Sequence, residues 1–497
     1  MNAPRLGNNG DKPENAEKIA GGAGGVGSTI STGGVKKVIG TQNDIEVSSD
    51  SGKRRLIFDL TWPSLAENVL ASLISIVDMI MVSSLGAYAI NAIGLVTQPR
   101  FVLLACFMAL SVGSTAMVAR FKGANDRENA CMVLNQSLLM TTALTIIMCA
   151  VMYISGEPLI RFIAGANITE QTIQAALVYF RIQIIGFPTL SLTFCINSIL
   201  RGIGNTRASF YTNAAANVVN IFFDYCLIGG HFGFPAWGIA GASFESIIAQ
   251  GTALCMAIYI VRSGKSYVDF RVSMLTRVDM GMIRRVLRIG LPAFGEQAIM
   301  RVGMMLFTII VTSFGEDTYA SHMIAMNIQM LSFTTGMAFG TAATTLMGQC
   351  LGRVKADLAK IYVKMTQNLS MIVSIIVSIL LFAGGSLIAS LYSKEAHIIK
   401  LAADMLKIIA VVNPISNARF VFVSALRGAG DSRFAAVVTF VGVLLLRPAI
   451  SLLLIMSAFP FKMGLAGVWL GISIESVVCY IMARARYRRG KWAAIEV

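Results

Sequence analysis

From Arg55 onward the chain alternates between long apolar stretches and short polar breaks, and no other feature restricts its fold so tightly. The stretches run over residues 58–84, 92–118, 130–154, 172–199, 209–229, 237–261, 286–313, 320–348, 362–384, 401–426, 434–458 and 464–483. Each reaches the roughly 20 residues a helix needs to cross a hydrocarbon core. Barrel strands would alternate with period two over about ten residues, so the stretches read as helices. Composition agrees: 13% of residues are charged, against about 25% in ordinary soluble domains. Too few polar side chains exist to coat a soluble body of 497 residues. The expected fold is an all-α polytopic membrane protein with twelve transmembrane helices, placed in the inner or plasma membrane.

The net charge of +15 raises the question of nucleic acid, which would require the cations on one folded face. Instead, 23 Lys and Arg fall in, or within three residues of, the breaks after even-numbered stretches and the C-terminal end. Breaks after odd-numbered stretches hold Arg161, Lys394, Lys400 and Lys462. This is the positive-inside pattern, and it places both termini in the cytoplasm with no nucleic-acid partner. The first 52 residues contain 11 glycines and no long apolar run, so residues 1–54 read as a disordered Gly-rich tail. The eight cysteines and three histidines are scattered, which predicts neither a resident metal nor a cofactor.

The two halves of the chain repeat each other. Leu200-Arg201-Gly202-Ile203-Gly204-Asn205-Thr206-Arg207 recurs as Leu426-Arg427-Gly428-Ala429-Gly430-Asp431-Ser432-Arg433, and Gly238-Ile239-Ala240-Gly241 as Gly464-Leu465-Ala466-Gly467. Earlier pairs are Pro63 with Pro292, Glu67 with Glu296, Gly86 with Gly315 and Gly123 with Gly352. Six helices per half return the chain to its starting side, so the repeats are parallel, as in two-lobed transporters. The expected organisation is an N-lobe over 55–261, a basic linker over 262–285, a C-lobe over 286–484 and a basic tail over 485–497.

Charges inside a bilayer cost at least about 2.5–3.5 kcal/mol each and mark function or pairing. Asp78, Asp224 and Glu245 lie within the stretches, yet their repeat positions hold Phe307, Ile450 and Gly471. At 1.5 Å per residue all three reach a similar depth in the outer half. Asn213, Asn217, Asn220 and Asp224 share one helical face. Such a cluster suits reversible proton binding, or a hard cation such as sodium held by carboxylate and amide oxygens. The alternative is interhelical hydrogen bonding alone. Arg447 and Glu475 are expected to pair, as are Glu67 or Glu296 with Arg301 or Arg419. Met300, Met304, Met326, Met330 and Met337 could supply an adaptable apolar wall near the cleft, with core packing the simpler reading.

These motifs resemble the multidrug and toxic compound extrusion (MATE) family over 56–485. The match rests on Leu60-Thr61-Trp62-Pro63, Val77-Asp78, Gly123-Ala124-Asn125-Asp126, the doubled Leu-Arg-Gly motif, Asn220-x-x-x-Asp224 and Gly238-Ile239-Ala240-Gly241-Ala242. The resemblance implies a secondary active antiporter, not an enzyme, that exports organic cations or other amphiphiles in exchange for H⁺ or Na⁺. In the DinF-like branch it implies a coupling-ion site at Asp78, Asn220 and Asp224. Asn217, Glu245 and Ser246 follow as second-rank members, Ser246 standing where the branch has threonine. The NorM-like site would fall on Met300 and Ser416, which lack its carboxylates. The expected partners are small organic substrates and membrane lipids, with the chain a monomer. A lipid or lipid-linked saccharide flippase is one alternative; a membrane-embedded enzyme is a remote one, lacking any catalytic motif.

Overall fold

Long apolar runs without strand periodicity leave intrachain backbone hydrogen bonding as the only way to satisfy N–H and C=O groups in lipid. The computed structural model describes residues 49–165, 168–264, 266–270, 278–455 and 463–495, and all of these belong to one unit, 39–497. The tail 1–48, Lys265, the linker stretch 271–277 and Lys462 lie outside the described residues. Helices α1 to α6 span Asp50–Ser83, Ala87–Gly123, Arg127–Ala164, Glu170–Gly202, Thr206–Gly229 and Ile239–Arg262. Helices α7 to α10 span Met280–Thr312, Glu316–Gly352, Ala356–Ala389 and Ala396–Gly428. Helix α11 runs Ser432–Ile455 and contains a π turn at Phe440–Leu446, and α12 is Gly464–Arg488. Among the described residues nine helices are long and apolar enough to cross a membrane; α5, α8 and α10 fall short.

Polar side chains set the starts. Asp126, Asn205 and Asp279 cap α3, α5 and α7 by accepting backbone N–H bonds of 3.0–3.2 Å from residues three further on. Helix α1 begins at Asp50 behind the Ser49 cap, inside the segment read as tail. Likewise α12 continues to Arg488, and a 3₁₀ turn at Lys491–Ala494 follows it. Trp492 of that turn is fully buried and stacked on Tyr487. The sharp α1–α2 and α7–α8 connections each need a left-handed residue, which Gly86 (φ +103°) and Gly315 (φ +96°) supply.

The lobes α1–α6 and α7–α12 meet at the end that bears the basic loops. There Thr345 Oγ1 donates to the Arg201 carbonyl at 2.9 Å and Gln349 Nε2 to the Gly202 carbonyl at 3.2 Å. The helices α2 and α8 cross so closely that a methyl group on Gly123 would lie 2.1 Å from the Gln349 carbonyl oxygen. Arg120, on α2, also reaches the Ile495 carbonyl at 2.9 Å.

The repeated Glu and Arg residues form one clamp in each lobe. Arg201 Nη1 lies 3.3 Å from Glu67, which also accepts from Asn213 at 2.7 Å and Ser209 at 3.2 Å. In the other lobe Glu296 is held by both Arg427 Nη2 and Nε, with Thr439 Oγ1 at 2.8 Å. This corrects the expected pairing of Glu67 or Glu296 with Arg301 or Arg419. Both acids sit one turn beyond Pro63 and Pro292, where the prolines remove a backbone bond, and each takes the Arg that ends the fourth helix of its lobe. The expected Arg447–Glu475 pair forms at 2.8 Å, and Arg419 completes a triad at 2.7 Å.

Candidate functional site

Within the N-lobe the five helices α1, α2, α4, α5 and α6 enclose a cavity of about 580 Å³. Asp78 enters it from α1, Asn217, Asn220 and Asp224 from α5, and Glu245 and Ser246 from α6. All six residues singled out as coupling-ion candidates therefore share one space. The 3.6-residue helical period explains the α5 contribution, since spacings of three and four keep one face. Asn213 shares that face but lies too near the basic end, where it joins the Glu67 clamp.

The hydrogen bonding inside the cavity is uneven. Glu245 is satisfied: its carboxylate accepts from Ser246 Oγ at 2.6 Å and from the Asn220 amide. Giving its N–H to Glu245 turns the Asn220 carbonyl away, and Asn220 Oδ1 has no donor among the described residues. The same holds for Asp78 Oδ1 and for both oxygens of Asp224, a residue 1% exposed. Four oxygens from three residues thus lack donors in one buried space. No group of three or more His, Cys, Asp or Glu among the described residues is placed as a metal cage. A cation here would have to use amide oxygens beside one or two carboxylates.

Sequence reasoning missed several members. Arg100 and Phe101 of α2 and Tyr179 and Gln183 of α4 also line the cavity, and the Arg100 charge acts on both Asp78 and Glu245. An arginine inside the 92–118 stretch, as its ninth residue, was the available signal. The remaining charges lie elsewhere: Glu67 and Glu296 in the clamps, and Arg419, Arg447 and Glu475 in a C-lobe triad. Arg301 stands over the Phe101 ring, 4.2 Å from its centre.

Comparisons place this architecture. The chain is 24% identical over 439 residues to the probable multidrug resistance protein NorM of Thermotoga maritima, covering 88% of this chain and 93% of that one. The multidrug resistance protein MdtK of Edwardsiella ictaluri is 24% identical over 440 residues, 87% of this chain and 95% of its own length. Among solved structures, an outward-facing multidrug resistance MATE family transporter of the MOP superfamily superposes with a TM-score of 0.82 at 21% identity, covering 89% of this chain and 97% of that chain. A MATE structure in the bent conformation gives 0.81 at 22% identity, with the same coverage. The MatE family model matches twice, over residues 63–226 and 292–453. Because these two matches cover well over half of the sequence, the chain belongs to the MatE family, whose members are multi-pass membrane transporters and not enzymes.

Proposed function

We propose that this protein is a secondary active antiporter that exports organic, mainly cationic, compounds in exchange for H⁺ or Na⁺ by alternating access. The observation that carries the reading is the set of donor-free oxygens on Asp78, Asn220 and Asp224 in one N-lobe cavity. A buried carboxylate without a hydrogen-bond donor is costly, and a proton or a hard cation removes that cost. Glu245, Ser246 and Asn217 complete the wall. Closure of the lobes at the basic end fits a state open to the other side of the membrane, with twelve crossings, both termini cytoplasmic and the chain acting as a monomer. The curated relatives, named for multidrug resistance, support drug-like substrates.

Coupling then follows from competition. Ions entering from outside neutralise Asp224 and Asp78, a cationic substrate loses its counter-charge and leaves outward, and the ions are released after the lobes reopen inward. A proton moving down 100 mV supplies about 2.3 kcal/mol. The test uses the full chain in liposomes, with dye efflux followed under imposed pH gradients and then sodium gradients. Wild type moves dye under at least one gradient, while Asp224→Asn inserts normally and moves none. Wild-type-like efflux by Asp224→Asn would remove the site, and dye movement under neither gradient would remove the antiporter.

A further inference from the structure

The cations at the basic end fall into two sets. Several are committed to acids: Arg207 to Asp59, Lys360 to Asp357 and Arg486 to Asp431, each at 2.8 Å, and Arg427 to Glu296. Arg285, Arg288 and Arg433 have no carboxylate within 4.0 Å among the described residues. Yet these three converge on one hollow of about 210 Å³ between the start of α7 and the start of α11. The positive-inside pattern asks only that cations lie on one side of the membrane; it does not gather them into a hollow. Asp431 lines the same space, but it is buried and neutralised by Arg486, so it leaves the three guanidinium charges unopposed.

The surroundings say what kind of anion fits. The hollow is smaller than the roughly 300–1,000 Å³ of a drug-sized ligand site, which suits a headgroup whose chains stay outside. Arg285 and Arg288 lie three apart on one face of α7, where the apolar stretch 286–313 begins, and that is the depth of lipid headgroups. Further along, α7 and α11 run side by side, with Gly303 against Val443. Leu291, one turn on from Arg288, is 62% exposed, and Val437 and Phe440, one and two turns on from Arg433, are 47% and 41% exposed. An apolar crease therefore leads into the basic hollow. Guanidinium groups with free N–H forks take phosphate oxygens in bidentate fashion, and basic pockets between transmembrane helices hold anionic headgroups. We propose that this hollow binds the phosphodiester headgroup of an anionic phospholipid from the leaflet at the basic end, with its acyl chains along Leu291, Val437 and Phe440. Zwitterionic lipids are disfavoured, because the only acid lining the hollow already serves Arg486 and leaves no counter-charge for a choline or ethanolamine ammonium. Ile495 lines the same hollow, and its carbonyl accepts from Arg120 Nη1 of the other lobe at 2.9 Å, so the lipid lies against the segment that ties the lobes together. The site is separate from the N-lobe cavity and does not depend on the antiporter reading.

The test is native mass spectrometry of the purified full chain in neutral detergent, with equimolar phosphatidylglycerol and phosphatidylcholine of identical acyl chains. Wild type should retain phosphatidylglycerol in preference by at least about tenfold, since each arginine near an anionic headgroup is worth about fivefold. Replacing Arg285→Gln and Arg288→Gln together should bring the preference close to parity, and Arg433→Gln alone should lower it about fivefold. Replacing Arg484→Gln and Arg489→Gln, at the same end but outside the hollow, should leave the preference within about twofold of wild type. Glycerol 3-phosphate in about hundredfold excess should not displace the lipid, because it lacks the chains that the crease holds. Thermal melts in lipid-free detergent check the fold of each variant, and the single Arg433→Gln variant stands in if the double one melts early. Equal retention of the two lipids by wild type overturns the proposal, as does a preference untouched by both sets of hollow variants. An equal loss in the Arg484 and Arg489 variant overturns it too, by reducing the effect to surface charge. Displacement by glycerol 3-phosphate would make the occupant a soluble phosphate ester and overturn the lipid assignment.

Discussion

The two Glu–Arg clamps occupy equivalent places in the repeats but differ in what remains when the arginine is removed. Glu296 is 2% exposed and takes both Nη2 and Nε of Arg427, with Thr439 Oγ1 as its other donor. Glu67 has a side chain 16% exposed, one bond to Arg201, and two further donors in Ser209 and Asn213. Breaking a buried ion pair from one side costs about 3–5 kcal/mol, because the orphaned charge keeps its desolvation penalty. Loss of a single bond to a charged group that stays otherwise satisfied costs about 1.5–3 kcal/mol at most. Arg427→Ala should therefore destabilise more than Arg201→Ala, by about 2 kcal/mol.

Unfolding entropy of roughly 2 cal/mol/K per residue converts this to about 1 °C per kcal/mol for a chain of such length. Thermal melts followed by intrinsic fluorescence should fall by about 3–5 °C for Arg427→Ala and about 1–3 °C for Arg201→Ala. The double replacement of Glu296 and Arg427 by methionine tests the cause. Removing both charges together is often neutral, so the double variant should recover more than half of the loss. Equal drops for the two alanine variants would refute the argument. So would a double variant whose loss is the sum of its single replacements.

Three further outcomes are expected. A methyl group on Gly352 would lie 2.0 Å from the Arg120 carbonyl oxygen, so Gly352→Ala should hold the lobes apart at the basic end. With Cys350, buried at the same closure, kept as the sole thiol, its reaction with a water-soluble maleimide should then speed up at least about tenfold, or about 1.4 kcal/mol of opening; an unchanged rate contradicts the closure. Trp492→Ala empties a fully buried site and breaks the 2.7 Å bond from its indole N–H to the Tyr487 carbonyl. It should cost about 3–5 kcal/mol in chemical denaturation, and a variant as stable as wild type would show that the turn does not dock. Asn220→Leu removes the amide donor to Glu245 and a donor-free carbonyl from the cavity that Asp78 and Asp224 line, so gradient-driven efflux should drop at least about tenfold. Efflux within twofold of wild type would take Asn220 out of the site.

The helices were legible because length and apolarity are enough to define them, whereas their ends were not. Polar residues continue α1 back to Asp50 and α12 on to Arg488 through caps and short-range pairs such as Lys53 with Asp50 at 3.1 Å, and hydropathy is blind to these. The cavity acids were found because they break the repeat. The clamp partners were missed because they stand 134 and 131 residues apart. The repeat held the clue there too: a glutamate and an arginine that both recur in the second half have a reason to meet in each. Arg100 escaped notice because its partners in charge, Asp78 and Glu245, belong to α1 and α6, and nothing near it in sequence points to them.

The same scaffold thus carries opposite charge in its two lobes, and the physical cause can be traced to a few positions. Where α1, α5 and α6 carry Asp78, Asp224 and Glu245, the repeat places Phe307, Ile450 and Gly471 on α7, α11 and α12. Glu475 enters the C-lobe instead, between two arginines, which leaves a surplus of positive charge. It fits because α11 opens into a π turn whose Gly442 has no side chain: a methyl there would lie 2.8 Å from Glu475 Oε1. Glu475 is saturated by its arginines and Cys479, so among the described residues the buried carboxylate oxygens without a donor are those of Asp78 and Asp224 in the N-lobe. A ligand shifts a conformational equilibrium only by its difference in affinity for the two states. On the proposed antiporter reading the driving ion acts on α1, α5 and α6, and the C-lobe follows through the α2 contacts with α7 and α8 that close the basic end.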